Sequence, residues 1–328
     1  MDKQSRRKFW DVLINLNDTG EESIRRLEQV IQYPKTICRF RSVNENTLNQ
    51  LKNNVLHYST ANHYDDPFDT YFYVDYSYIK KKIEFFKGLI SSGGEHIIEF
   101  ICDSMHNVLN TKKEDFHLNM ADLQHINLEN FQALVKNARE SVLRNLWSIC
   151  FCDNELNENL WLKYADSHKG FALVYDLHRN QDYLCGKGDK CESCLMSKFP
   201  LSLYPVFYTD NRYNATEYVV SLILVQMLPQ LAHFIERSWE LEKISLIKKE
   251  CHHYDNEWRM IFSGIIRDND HPFIKYRPTQ VIMGLKTSED DQSKIIAAAK
   301  VAQIPTISKM VINDNDELEP CLICTEDQ

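Results

Sequence analysis

Apolar and polar positions alternate in several short segments that lie far apart along the chain. The alternation is clearest at 257–262, where Trp258, Met260 and Phe262 occupy every second position. A period of two is typical of a β-strand that buries one face. The same criterion predicts strands at residues 36–42, 55–60, 147–152, 170–175, 203–208, 281–285 and 306–312.

Helical patterns fill the sequence between these strands. Residues 1–33 are predicted to be mostly helical, because Ile24, Leu27 and Ile31 share one helix face before Pro34 ends the pattern. Further helical segments are predicted at residues 44–53, 159–165, 218–249 and 290–302, the third as one long helix or two.

The order of these elements predicts an α+β protein built around one domain, because helices clustered between scattered short strands are typical of that class. We place an N-terminal helical segment at residues 1–34, the α+β domain at 35–315 and an acidic tail at 316–328, which we expect to be frayed. Inside the domain, residues 70–145 are predicted to be a helical insertion, and residues 178–200 a loop rich in cysteine and lysine.

Composition narrows the classes of function. With 328 residues and 43% hydrophobic content, the chain can bury a sizeable core. Its net charge of −9 argues against broad binding to phosphate backbones as the main role, but it is compatible with a local basic cleft. Neither a Rossmann glycine motif nor a P-loop motif occurs. No apolar run approaches the ~18 residues of a membrane span and the N-terminus lacks an apolar signal core, so we expect a cytoplasmic protein without a membrane partner.

Candidate chemistry lies in polar and aromatic clusters at the ends of three predicted strands. They are 38–42, the two-part cluster 58–60 and 65–69, and 257–259. Burial of a charged residue beside an apolar strand costs free energy unless the residue is ion-paired or serves a function. An arginine binds a pyrophosphate through its planar fork, and a carboxylate stabilises the positive charge that develops on a ribose when its bond to nicotinamide breaks. We therefore predict a site for NAD.

Glu257 and Arg39 are the predicted catalytic residues of this site. Hydroxyl and aromatic side chains are expected to position the ribose and stack on the rings. The predicted NAD-binding residues are Arg39, Arg41, Tyr58, Ser59, Thr60, Tyr64 and Phe68. Plainer interpretations stay open, namely a surface ion pair for each arginine and a salt bridge between Glu257 and its neighbour Arg259 on the same strand face.

Metal binding is a further prediction. Cys185, Cys191 and Cys194 are the predicted ligands of a structural zinc ion, which favours four tetrahedral ligands. The fourth ligand is predicted among His178, Cys251, His252 and His253, and free surface thiols are the alternative. Asp65 and Asp66 offer oxygen ligands for a divalent cation, but a turn or a helix cap is the favoured interpretation of these residues.

Taken together, the clusters resemble the domain of unknown function family 2971 over about residues 37–312. The resemblance is carried by the segments 38–42, 47–51, 65–69, 150–152, 160–165, 168–171, 255–259 and 281–284. The chain departs from that pattern at Asp65, where the family usually has asparagine.

The order of elements is also similar to the ADP-ribosyltransferase fold, which implies a split β-sheet core and NAD as substrate. On this resemblance Arg39 takes the first role of the family's pattern, Ser59 or Thr60 the second and Glu257 the third. Asp255 stands where enzymes that modify arginine commonly have a glutamate, so the resemblance leaves the acceptor open between protein and nucleic acid. It further implies a toxin or anti-phage effector with a partner protein from the same defence system.

Two other functions are compatible with the residues. One is a non-catalytic module that senses a nucleotide or a phage protein. The other is a metal-dependent nuclease that uses Asp65, Asp66, Asp69 and Glu257.

Overall fold

A computed structural model describes residues 1–64, 66, 68–91, 128–177, 203–227, 239–263 and 272–324. Its α-helices are α1 (Lys3–Leu13), α2 (Glu21–Glu28), α3 (Glu45–Lys52), α4 (Tyr76–Ser91), α5 (Leu128–Asn145), α6 (Glu158–Lys163), α7 (Thr216–Met227), α8 (Glu240–Ser245) and α9 (Glu289–Val301). Two 3-10 helices cover Ala61–His63 and Glu250–Asp255.

The strands are β1 (Thr36–Arg41), β2 (Val55–His57), β3 (Ser59–Thr60), β4 (Leu146–Cys152), β5 (Phe171–Asp176), β6 (Leu203–Pro205), β7 (Phe207–Tyr208), β8 (Ile247–Lys248), β9 (Glu257–Ser263), β10 (Phe273–Lys275), β11 (Gln280–Met283), β12 (Thr306–Ile312) and β13 (Leu318–Cys324).

A mixed sheet organises the molecule. Its strand order is β13-β12-β11-β5-β1-β4-β9-β6, and β3 pairs with β4 beside this path. β11 and β12 are parallel, whereas the other pairs of this sheet are antiparallel. Two small sheets, β10-β2 and β7-β8, complete the described strands. The predicted α+β class is therefore confirmed.

Side-chain alternation gives the sheet a buried core on each face. On one face Phe171, Leu173 and Tyr175 of β5 join the main apolar core, which also contains Phe9 and Leu13 of α1. On the opposite face the core is smaller and is covered by α6. There Trp161, Phe40 and Ala172 belong to one cluster. In that cluster the Phe40 and Trp161 rings meet edge to face, with centroids 5.1 Å apart.

Local side-chain bonds define where several helices begin. Asp2 accepts a hydrogen bond from the backbone nitrogen of Ser5 at 2.7 Å and caps α1. Asn44 and Thr47 form a reciprocal capping box at the start of α3. Each cap satisfies backbone N–H groups that a helix end would otherwise leave unpaired.

The sheet splits between its central strands β1 and β4. β1 pairs with β5 over its whole length, from Thr36 to Arg41, but it pairs with β4 at one position only, Cys38 with Cys152. The first half of β4 pairs with β3 instead, through Ser148. Beyond Cys38 the two central strands therefore diverge, and the opening is accessible to side chains from both faces of the sheet.

Several elements differ from the sequence prediction. The predicted strand 203–208 is divided between β6 in the large sheet and β7 in a small one, and β8 lies at the end of the segment 218–249 that was predicted to be helical. Residues 55–60 form two strands in different sheets. β2 pairs with β10, and the bond from the Tyr58 backbone N–H to the Pro272 carbonyl extends that pairing by one residue, whereas β3 pairs with β4.

The expectation of a frayed tail is wrong for 318–324, which form the edge strand β13 against β12. The turn before β13 is built by Asn313, whose side-chain oxygen accepts backbone N–H bonds from Asn315 and Glu317.

The described parts of residues 70–145, the segment predicted to be a helical insertion, contain α4 and α5. Residues 92–127 of that segment and the whole cysteine-rich segment, residues 178–200, lie outside the described residues. Within the described part of the chain, no helix is both long and apolar enough to cross a membrane.

Candidate functional site

A cleft of about 280 Å³ lies where the sheet splits. Its walls come from β1, β3 with the turn that follows, β4, α6, β8 and β9. The side chains that matter for its chemistry are Arg39, Arg41, Ser59, Tyr64, Asp69, Cys150, Lys163, Tyr164, Lys248, Asp255, Glu257 and Arg259. The volume is close to the lower end of the range found for small-molecule sites.

Two arginines of β1 form the basic side of the cleft. Among the described residues, neither Arg39 nor Arg41 forms an ion pair with a carboxylate, and Nη1 of Arg39 is buried without a hydrogen-bond partner. Protein atoms closely surround both side chains. This burial lowers the pKa of Arg39, and burial together with the charge of Arg39 lowers the pKa of Arg41 to about 9. A guanidinium stays charged in a protein at neutral pH. Two such groups without a carboxylate partner among the described residues are typical of an anion-binding site.

A buried ionic network forms the opposite side. Arg259 donates from Nη1 to Asp69 Oδ1 at 2.9 Å, from Nη2 to Asp69 Oδ2 at 2.6 Å and from Nε to Glu257 Oε1 at 2.6 Å. Lys248 Nζ donates to Glu257 Oε2 at 2.8 Å and to Asp255 Oδ2 at 2.9 Å. The network combines two cations with three carboxylates.

The protonation states in this network follow from competing effects. Burial opposes ionisation of Glu257, but the positive charges of Arg259 and Lys248 outweigh it and hold the pKa of the carboxyl below its ordinary value. Burial likewise opposes the charge of Lys248, whereas Glu257 and Asp69 raise the pKa of its ammonium. Glu257 is thus an anion at neutral pH. A carboxylate has about four acceptor positions, so it can still accept a bond from a ligand hydroxyl.

The strand register explains how distant residues meet at the cleft. Cys38, Cys152 and Glu257 lie opposite one another across β1, β4 and β9, so their side chains share one face of the sheet. Arg39, the next residue on β1, points to the other face. Both Arg39 and Glu257 line the same cleft because the sheet is open at this point.

Polar and aromatic groups occupy the middle of the cleft. The hydroxyls of Tyr64 and Ser148 are hydrogen-bonded to each other. The guanidinium carbon of Arg259 lies 5.2 Å from the centroid of the Tyr64 ring, within the range of a cation–π contact. Cys150 also lines the cleft, but burial and the charge of Glu257 raise the pKa of its thiol to about 12. Its sulfur is therefore a neutral thiol and not a nucleophilic thiolate.

The cleft contains five of the residues predicted from the sequence. They are Arg39, Arg41, Ser59, Tyr64 and Glu257. Three others lie elsewhere. Tyr58 is part of the main apolar core, the Thr60 hydroxyl is buried against Asn62 and His63, and Phe68 is half exposed outside the cleft.

Several cleft residues were not predicted as ligands. The most important of them is Lys248. The sequence feature that could have indicated it is a lysine at the end of the mostly apolar segment 244–248. Lys163 and Tyr164 at the end of α6 also line the cleft. Trp161, on the same helix, is fully buried.

The predicted zinc ligands Cys185, Cys191 and Cys194 lie outside the described residues. Within the described ranges, no group of three or more histidine, cysteine, aspartate or glutamate side chains is arranged to hold a metal ion. Both Asp69 and Glu257 instead direct their oxygens at cations.

Comparison with known proteins identifies no relative of this chain. No protein-family model matches the chain, no curated protein is significantly similar to it, and no solved structure matches its fold. The resemblance to family 2971 and to ADP-ribosyltransferases therefore stays a prediction, and the functional argument rests on the geometry of the cleft.

Proposed function

We propose that the cleft binds NAD and that the protein transfers ADP-ribose from it to a macromolecular acceptor. The observation that carries this proposal is the convergence of Arg39, Arg41, Ser59 and Glu257 on one cleft from three distant segments of the chain. Two guanidinium groups without a carboxylate partner among the described residues line the same cleft as the Glu257 carboxylate, which is the combination of charges that a diphosphate and an adjoining ribose require.

Each residue has a distinct role in this proposal. Arg39 and Arg41 bind the diphosphate through bidentate hydrogen bonds. Glu257 accepts a hydrogen bond from a hydroxyl of the nicotinamide ribose. The rings of Tyr64 and Tyr164 line the same cleft and offer aromatic faces to the ligand.

The proposed reaction breaks the bond between the ribose and the nicotinamide nitrogen, and nicotinamide leaves with the bonding electron pair. The positive charge that develops on the ribose is stabilised by the Glu257 carboxylate, which Arg259 and Lys248 keep ionised. An acceptor nucleophile then forms a bond to the ribose carbon and loses its proton. Loss of one such electrostatic contact costs about 3 kcal/mol of transition-state stabilisation.

The decisive experiment measures nicotinamide release and thermal stabilisation by NAD in the purified protein. Arg39→Met keeps the length of the side chain and removes the charge, and we expect both signals to be lost while the fold remains. Arg26→Met is the matched control, because Arg26 is exposed on α2 and does not line the cleft. Glu257→Gln should retain stabilisation by NAD but release nicotinamide at least about 100-fold more slowly.

Two results would contradict the proposal. One is an absence of both NAD binding and nicotinamide release in the wild-type protein, tested with and without cell extract as a source of acceptor. The other is an Arg39→Met variant that binds NAD as tightly as the wild type, because the basic side of the cleft would then play no part.

A non-catalytic nucleotide sensor is the second candidate. It is favoured by the engagement of both Glu257 oxygens, one by Arg259 and one by Lys248, which gives the carboxylate a structural role as well. This candidate predicts stabilisation by NAD or ADP that depends on Arg39, without nicotinamide release. A role in a toxin–antitoxin or anti-phage system, with a defence partner protein, is proposed on the sequence resemblance alone.

The nuclease interpretation receives less support from the geometry. Asp69 and Glu257 are tied to Arg259, so a metal ion would have to compete with a buried guanidinium for both carboxylates. The structural zinc site remains a proposal for the segment that contains Cys185, Cys191 and Cys194.

A further inference from the structure

A surface beside the cleft combines exposed aromatic rings with cations. We call it the aromatic–basic patch and define it by Phe68, Tyr71, Arg139, Arg212 and Lys249. The side chains of Phe68 and Tyr71 are 51% and 41% exposed, and their rings meet edge to face with centroids 6.2 Å apart. Large aromatic side chains that stay half exposed on a folded protein are typical of an interaction surface.

The three cations of the patch come from separate parts of the chain and converge on these two rings. The guanidinium carbon of Arg212 lies 5.2 Å from the Phe68 ring centroid and 4.4 Å from that of Tyr71. Lys249 Nζ lies 4.8 Å from the Phe68 centroid, and the guanidinium carbon of Arg139 lies 4.8 Å from the Tyr71 centroid. Each distance is within the range of a cation–π contact.

The patch carries three positively charged side chains. In the part of the chain that the structure describes, none of Arg139, Arg212 and Lys249 forms an ion pair with a carboxylate. The whole chain nevertheless carries a net charge of −9. Three unpaired cations gathered on one surface of an acidic protein favour an anionic partner.

Hydrogen bonds from the two arginines to Tyr71 and Phe72 explain only part of this arrangement. Arg139 donates to the Tyr71 hydroxyl and to the Phe72 carbonyl, both at 3.1 Å, and Arg212 donates to the Tyr71 carbonyl at 3.1 Å. Lys249 makes no such bond among the described residues, and its side chain is exposed. The Phe68 ring and the Lys249 ammonium are therefore available to a partner.

We infer that the aromatic–basic patch binds single-stranded nucleic acid and presents it to the cleft. Unpaired bases stack on aromatic faces while cations contact the phosphates, and the patch supplies both groups side by side. Two residues of the patch are sequence neighbours of residues that line the cleft, because Phe68 precedes Asp69 and Lys249 follows Lys248. This inference rests on the proposed function in one respect, since it names the acceptor of the transfer.

Fluorescence anisotropy with labelled single-stranded oligomers of about 12 nucleotides, RNA and DNA in separate arms, tests the inference. Phe68→Ala should weaken binding at least about fivefold, the effect of losing one stacked base. Lys249→Ala should weaken binding and reduce its salt dependence. With three cations on the phosphates, wild-type affinity should fall roughly 20-fold between 50 and 200 mM salt.

Matched control variants are available on another sheet. Phe273 is 53% exposed on β10, close to the exposure of Phe68, and Lys275 is exposed on the same strand. Phe273→Ala and Lys275→Ala should bind the oligomers as the wild type does. A duplex of the same sequence should bind more weakly, because its bases are not free to stack.

Three results would overturn the inference. They are no binding of either oligomer, equal binding of an abasic oligomer, and equal loss of affinity in the patch and control variants. A polyglutamate peptide that competes as well as the oligomer would point to an acidic protein partner instead.

The inference and the proposed function fail in different ways. Oligomer binding is measured without NAD, and nicotinamide release is measured without oligomer. If Lys249→Ala loses oligomer binding but keeps nicotinamide release, the patch is the acceptor surface of an active enzyme. If oligomer binds to the patch and NAD is never cleaved, the nucleic-acid surface stands and the transferase proposal is wrong.

Discussion

Arg259 holds Asp69 in a fork of two hydrogen bonds, 2.9 Å from Nη1 to Oδ1 and 2.6 Å from Nη2 to Oδ2. The pair joins β9 to the loop that leads from the cleft to the aromatic–basic patch. Both side chains are almost fully buried. One contact therefore connects the floor of the candidate active site to the proposed acceptor surface.

Replacing Arg259 with lysine should destabilise the protein by about 3 to 5 kcal/mol. Lysine cannot reproduce the fork, so Asp69 and Glu257 would be left buried with too few donors. Unfolding by urea, monitored by circular dichroism, measures this change. Arg144→Lys is the matched control. The pair of Arg144 with Glu140 is exposed, so its change should stay below about 0.5 kcal/mol.

Arg39→Met should make the unliganded protein more stable, by about 1 to 2 kcal/mol. The wild-type guanidinium is buried without an ion-pair partner among the described residues, and a methionine of similar length removes that desolvation cost. The same variant should lose stabilisation by NAD. Thermal melts with and without NAD check both statements, and a variant that is less stable than the wild type would show that Arg39 has a structural partner.

Glu257 should make a pH-dependent contribution to stability on the acidic side. Its pKa in the folded protein lies below the ordinary value of 4.5, so the contribution is fully present above pH 4.5 and is lost as the pH falls through the folded value. Glu257→Gln should therefore be less stable than the wild type at pH 7, and the difference should shrink below pH 4.5. Urea midpoints measured from pH 3 to pH 7 give this profile. A difference that stays constant with pH would contradict it.

Gly170 should tolerate no side chain, because a β-carbon there would lie 2.0 Å from the carbonyl oxygen of Arg41. Gly170→Ala must displace β1, so we expect a loss of stability of more than about 3 kcal/mol together with weaker binding of NAD. Gly88→Ala on α4 is the control. A β-carbon added at Gly88 would have no neighbour within 4 Å among the described residues outside its own helix backbone, and the change should stabilise the helix by up to about 1 kcal/mol. The melting temperatures of the Gly170→Ala and Gly88→Ala variants, each compared with that of the wild type, test this prediction.

The sequence predicted the elements that depend on local pattern. The alternation at 257–262 correctly places Trp258 and Met260 in the core and leaves Glu257 and Arg259 on the opposite face. The α+β class and the helix ending before Ala302 follow from the same kind of local signal.

The parts that failed depend on contacts between distant segments. Ser59 and Thr60 were equally good candidates, and only the pairing of β3 with β4 shows that Ser59 faces the cleft while Thr60 is buried. Lys248 was missed because its role requires Asp255 and Glu257 to fold back onto it. The strand β13 was missed because acidic residues on both sides of it indicated a frayed tail, whereas its pairing depends on contact with β12.

The pairing of β1 with β4 at the single position Cys38–Cys152 has a consequence for the rigidity of the sheet. The half of the sheet that carries Arg39 and Arg41 is joined to the half that carries the carboxylates almost without backbone hydrogen bonds between strands. A ligand that contacts both halves would connect β1 and β4 at a second position. Binding of a ligand in the cleft would then make the whole sheet more rigid. Amide hydrogen exchange along β1 and β4 should therefore slow when the ligand binds.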